Sequence, residues 1–226
     1  MVDFILLPGL HGNSQLATEF LNLQPDLFEV TALSYPKDGP FTYEALVKEL
    51  LPFFDHRDNI VLIGESFGGP LSVLLASRIN SVIALILVGS FLTCPAPRWT
   101  KGLSSSMLKV LPMSSIFPRM ALAGFSRKHD FDQLLKKVLK EVSVTGFINR
   151  VEAIRKVDVR EECSLLEIPL LYLQAKDDFI VPSRCGKEVI KVARQATLER
   201  ITGAHMLLET NPKECWNSIN TFIQNL

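Results

Sequence analysis

Six short and nearly unbroken apolar runs, at 2–7, 28–33, 60–63, 82–88, 168–174 and 197–201, alternate with segments whose apolar residues recur at helical spacing. Runs of this length suit strands buried on both faces, as in a parallel sheet covered by helices. The helical patterns fall at 15–23, 43–54, 67–79, 184–193 and 212–223. The last opens with Asn211 as candidate cap, Pro212 at the first helical position and Glu214 in the first turn. Strand and helix in turn predict an α/β fold with a mostly parallel sheet of about six strands. With 226 residues, 47% of them hydrophobic, the chain can bury a sizeable core, which excludes a disordered chain or a coiled coil.

The alternation fails between 91 and 160. Pro95, Pro97, Pro112 and Pro118 and the serines at 104–106 make an irregular start. An apolar stripe follows at Phe131, Leu134, Leu135, Val138, Leu139 and Val142, with Lys136, Lys137 and Lys140 on the polar face. A second helix is expected at 146–157, carrying Arg150, Arg155 and Lys156. The chain therefore divides into a core, 1–90 and 161–226, and a helical cap, 91–160, inserted before the strand at 168–174. Overall charge is zero, yet 91–160 holds thirteen Lys and Arg against five Asp and Glu, a net of +8. That excess reads either as a solvated face or as a surface for an anionic partner.

Gly64-Glu65-Ser66-Phe67-Gly68 follows one apolar run and opens a helical pattern. A G-x-S-x-G string arises by chance in roughly one chain of this length in thirteen, so its context decides. Strand before and helix after is what a serine on a sharp turn requires. Two further elements follow in order: Asp177-Asp178 after the run at 168–174, and Gly203-Ala204-His205 after the run at 197–201. A serine hydroxyl needs a histidine to remove its proton, and the histidine needs a carboxylate to fix its tautomer. An oxyanion needs two backbone N–H donors, one from the residue after the serine, Phe67, and one from an early strand-end loop. Pro8-Gly9-Leu10-His11-Gly12 can supply the second, from Leu10.

Those motifs, in that order across nearly the whole chain, resemble the α/β-hydrolase fold family. The resemblance implies Ser66, Asp178 and His205 as catalytic residues, with Asp178 preferred over Asp177 because it stands four residues before Pro182. It implies the Leu10 and Phe67 amides as the oxyanion hole. The chain departs from the family pattern in having Pro8-Gly9 where His-Gly is common, and in lacking room for the usual N-terminal hairpin before the first strand. The stretch Val157-Asp158-Val159-Arg160 and the overall layout are similar to small capped esterases such as the pimeloyl-carrier-protein methyl ester esterase. That likeness makes an acidic acyl carrier protein a possible partner for the basic cap.

The function read here is a serine hydrolase that cleaves a carboxylic ester or thioester through an acyl-enzyme. The alternative is a non-catalytic ligand- or partner-binding protein on the same fold. Candidate substrate- or partner-binding residues are His11, Phe91, Trp99, Lys136, Lys137, Lys140, Arg150 and Arg155, with His11 more readily read as a turn residue. No cofactor is expected, because no nucleotide-binding glycine pattern is present. No metal is expected, because His11, His56 and His129 lack partners at ligand spacing. Nucleic-acid modules and membrane-length apolar runs are also missing. Four scattered cysteines and a start without a basic or long apolar region predict a cytoplasmic location.

Overall fold

The computed structural model describes residues 2–36, 42–95, 133–134, 137–138 and 143–226. Six strands, β1 (Asp3–Leu7), β2 (Glu29–Ala32), β3 (Ile60–Glu65), β4 (Val82–Val88), β5 (Leu170–Ala175) and β6 (Ala196–Ile201), form one sheet in the order β2-β1-β3-β4-β5-β6. Every pairing is parallel. β3 and β5 are buried at each position, which is why they read as unbroken apolar runs. The edge strands β2 and β6 are partly exposed and admit Glu29, Glu199 and Arg200. β3 runs past the expected 60–63 because Gly64 and Glu65 still pair with Leu87 and Val88.

Helices cover both faces. On one face α2 (Tyr43–Leu50), α3 (Gly68–Ala76), α5 (Arg160–Leu165) and α6 (Arg184–Val192) pack over the sheet. All nine residues of α3 are buried. On the other face lie α1 (Thr18–Asn22), α7 (Leu207–Thr210) and α8 (Pro212–Gln224). Trp216 of α8 stacks on Phe20 at 4.3 Å and donates its indole N–H to the Phe20 carbonyl at 2.8 Å. Truncating such a ring typically costs about 3–5 kcal/mol, so this contact anchors α8 to α1.

Local chemistry explains where elements depart from the periodicity. The helix expected at 43–54 tightens to a 3-10 turn at Leu51–Phe54, because Pro52 has no N–H with which to continue the α ladder. Asn211 does not cap α8 through its side chain; its Oδ1 accepts from the Thr210 hydroxyl at 2.8 Å. α5 and α7 are too short to leave a periodic signal.

The segment between β4 and β5 leaves and rejoins the core at one place. Thr93 and Asp158 form an antiparallel bridge, and the Val159 N–H donates to the Leu92 carbonyl at 3.0 Å. Within the segment, α4 (Val144–Lys156) is capped by Ser143, whose side chain accepts from the Gly146 N–H at 2.9 Å. Of the expected helix at 131–142, residues 133–134 and 137–138 are described and are helical, with Lys137 exposed and Val138 buried. Trp99, Lys136 and Lys140 lie outside the described residues. Among the described residues no helix is long and apolar enough to cross a membrane.

Candidate active site

The chain runs from β1 outward to β2, then returns to the other side of β1 for β3. The carboxyl ends of β1 and β3 thus flank the point where strand order reverses, the usual ligand crevice of such sheets. The loop 8–12 follows β1, Ser66 follows β3, Asp178 follows β5 and His205 follows β6.

Ser66 occupies the left-handed region at φ +49°, which a non-glycine residue adopts only under constraint, at a cost of about 1–3 kcal/mol. Three hydrogen bonds hold it there. Its N–H donates to Val88 O at 2.9 Å, while its carbonyl accepts from the Ser90 hydroxyl at 2.7 Å and from Gly69 N–H at 3.1 Å. The glycine at 68 is required by close approach: a Cβ there would lie 2.2 Å from the Leu7 carbonyl oxygen.

The Ser66 hydroxyl lies 2.9 Å from His205 Nε2, and His205 Nδ1 lies 2.8 Å from Asp178 Oδ2. Both His205 and Asp178 side chains are almost wholly buried. The second Asp178 oxygen, Oδ1, accepts from the N–H groups of Ile180 and Val181, each at 2.8 Å. The carboxylate is therefore fixed in place before it meets the imidazole. Asp177 is exposed. Gly89, at φ +49°, packs beneath the pair, where a Cβ would come within 3.5 Å of both partners.

The N–H groups of Leu10 and Phe67 have no backbone acceptor among the described residues. The loop carrying Leu10 is held from outside by Arg150 of α4. Its guanidinium donates to the carbonyls of Leu10 at 3.0 Å, His11 at 3.1 Å and Pro36 at 3.1 Å, and lies 5.5 Å from the Tyr35 ring centre. Arg150 is only 3% exposed, and burial lowers its pKa from the ordinary value, against the opposing influence of Tyr35. Arg155 pairs with Glu152 at 2.9 Å. Phe91 is buried against Val181 and Cys185, with Ile154 and Val157 of the inserted segment behind them. Burial pushes the thiols of Cys163 and Cys185 up to about 12 and about 11, so both stay protonated near neutral pH and offer no competing nucleophile.

A family model described as serine aminopeptidase, S33 (Hydrolase_4) matches residues 43–210. The chain belongs to this α/β-hydrolase family. Among solved structures, this chain is similar to an esterase from Exiguobacterium antarcticum, with a TM-score of 0.84 at 16% identity, covering 99% of this chain and 92% of that one. It is also similar to the enol-lactonase from Burkholderia xenovorans LB400, with a TM-score of 0.83 at 17% identity, covering 99% and 91%. At those identities the likeness is one of fold. The pyrrolizixenacetamide deacetylase of Xenorhabdus hominickii is 24% identical over 171 residues, 72% of this chain. That match spans 64% of the deacetylase.

Three residues near Ser66 were missed or misread in the sequence. Glu65 sits inside the motif, but its side chain position is set by β3 pairing. Glu209 stands alone after the apolar Met206-Leu207-Leu208, a charge in a run that should be buried, and that was the available signal. His11 has no partner at ligand spacing in the sequence; in the structure Glu65 and Glu209, 54 and 198 positions away, bring oxygens within 4.8 Å of its ring. Sequence spacing does not reveal such a meeting, because it is made by the loop after β1, the end of β3 and the helix α7.

Proposed function

We propose that this protein is a serine hydrolase of small carboxylic esters or thioesters. The observation that carries the reading is the unbroken hydrogen-bonded line from Ser66 through His205 to a doubly anchored Asp178. Ser66 Oγ attacks the substrate carbonyl as His205 Nε2 takes its proton, and Asp178 stabilises the imidazolium at Nδ1. The Leu10 and Phe67 N–H groups receive the oxyanion. The imidazolium then protonates the leaving alcohol or thiol, giving an acyl-Ser66. Water, deprotonated by His205, attacks that ester and regenerates the serine.

A fluorophosphonate probe tests the reading directly. The expected result is one covalent adduct on Ser66, lost in His205→Ala. Absence of an adduct on the native protein would favour the non-catalytic binder. On p-nitrophenyl esters, short to medium acyl chains are expected to turn over fastest, and a preference for long-chain lipid esters would overturn the substrate class.

For the carrier-protein partner, support is thin in the described residues. Arg150 is enclosed by the oxyanion loop and Arg155 is paired with Glu152, which leaves Lys137 and Lys156 as exposed cap cations. A small-molecule ester is the substrate class we retain. The buried arginine has a different role in this proposal, holding the oxyanion loop. Arg150→Met keeps the length of the stem and removes three donors, leaving carbonyls unsatisfied at about 1–3 kcal/mol. The expected outcome is a fall of about 10- to 100-fold in kcat/KM on p-nitrophenyl acetate.

A further inference from the structure

Behind the Ser66 turn, three ionisable side chains meet from three parts of the chain: His11 of the loop after β1, Glu65 at the end of β3, and Glu209 of α7. Glu65 and Glu209 are 4% and 1% exposed. Glu65 Oε1, both Glu209 oxygens and His11 Nε2 have no conventional donor or acceptor within reach, yet the facing atoms all lie within 4.8 Å of one another. Two carboxylates and an imidazole at such distances can hold a cation or share protons. The His11 ring decides between them. Its Nδ1 accepts the Asn13 N–H at 3.2 Å, so in the neutral ring the proton is on Nε2, which faces Glu65 Oε2 at 3.8 Å. A metal at Nε2 would require the proton on Nδ1, pointing at another N–H. The cluster is arranged to give protons to Glu65.

We propose that His11, Glu65 and Glu209 form one buried proton-linked tie, in which His11 Nε2–H and a protonated Glu209 both donate to the Glu65 carboxylate. Glu209 is thereby a positioning residue that fixes the oxyanion loop against the Ser66 turn. The three members sit one residue from Leu10, one residue from Ser66 and four residues from His205. The His11 ring also fills the space behind Gly9, where a Cβ would lie 3.4 Å from its Nε2 and 3.6 Å from Ser66 Cβ. Burial, then the Glu65 charge and hydrogen bond, hold the Glu209 carboxyl well above the usual range. For Glu65 burial acts upward too, but the neighbouring His11, Glu209 and His205 outweigh it and hold the group low. The other titratable groups facing the tie are His205 beside Glu65, Cys215 of α8 and, beyond Glu65, Tyr35.

Because the Glu209 pKa is raised on folding, its stabilisation is complete below about pH 4.5 and is lost as pH rises through the folded value. Glu209→Gln keeps a donor toward Glu65 and removes that titration, whereas Glu209→Leu removes the donor. The test measures Tm of the native protein and both variants from pH 4.5 to 9, with kcat/KM on p-nitrophenyl acetate. The expected result is a Tm advantage of Glu209→Gln over native protein that widens by about 3–5 °C per pH unit until the folded value is reached. Glu209→Leu is expected to lose tenfold or more in kcat with KM changed less than threefold, and Gln at the same position to restore most of it. Parallel Tm curves for native protein and Glu209→Gln would overturn the tie, even if Glu209→Leu fails to fold. So would a native Tm raised by zinc and lowered by a chelator, both effects vanishing in His11→Ala, since that marks a bound cation. The kinetic arm rests on the hydrolase reading; the Tm arm does not. A protein that fails to label at Ser66 but shows the diverging curves would keep the tie and lose the esterase.

Discussion

Alanine at Ser66 or at His205 is expected to lower kcat on p-nitrophenyl acetate by about 10⁶. Each change removes one end of the proton transfer, and the line from Ser66 Oγ to His205 Nε2 at 2.9 Å has no second base within it. The double variant is expected to be no worse than either single one, because the two side chains act as a unit. Folding should be preserved. Ser66 holds its turn through backbone groups, its N–H on Val88 and its carbonyl under Ser90, and alanine keeps both. Circular dichroism and Tm on each variant separate a lost reaction from a lost fold. Retention of more than a few per cent of turnover in Ser66→Ala would mean that another group attacks the ester.

Asp178→Asn is expected to cost about 10⁴ in kcat, and the geometry gives the reason. Oδ1 of Asp178 accepts two backbone N–H groups, so an asparagine there must turn its carbonyl oxygen toward them. Its NH₂ then faces His205 Nδ1, which is forced to accept. The imidazole proton moves to Nε2, where it blocks uptake of the Ser66 proton. Asp177→Asn, on an exposed side chain, is expected to change kcat less than threefold. A reversal of the two effects, read from initial rates at pH 8, would mean that the neighbouring acid orients His205.

The sheet was legible because its inner strands are buried on both faces and carry almost nothing but apolar residues, so length and composition mark them. Ser66, Asp178 and His205 were legible for a related reason: each stands in the few residues after such a run, where a parallel sheet collects its loops. Arg150 was misread as a surface charge. Its neighbours Arg155 and Lys156 share the helix, and nothing in the local pattern says that one guanidinium turns inward to meet carbonyls 139 and 140 residues away. Phe91 was read as a candidate substrate- or partner-binding residue and is packed beneath the inserted segment, since an apolar residue at a segment boundary carries no sign of which side covers it. The cluster of His11, Glu65 and Glu209 was invisible because its members belong to a loop, a strand and a helix far apart in the chain, and only the strand order β1-β3 and the docking of α7 bring them together.

The bridge between Thr93 and Asp158, with Val159 bonded to Leu92, closes the excursion between β4 and β5 at its base. A chain that leaves and returns at adjacent points places little demand on what lies between: doubling the length of such a closed loop adds only about 0.6 kcal/mol of entropy. Among the described residues, 94–157 touches the rest of the chain at more than its base: Arg150 holds the 8–12 loop, the Pro95 carbonyl accepts from Arg184, and Ala153, Ile154 and Val157 pack on the core. A graft that omits the arginine at position 150 is expected to lose three hydrogen bonds on the carbonyls of Leu10, His11 and Pro36.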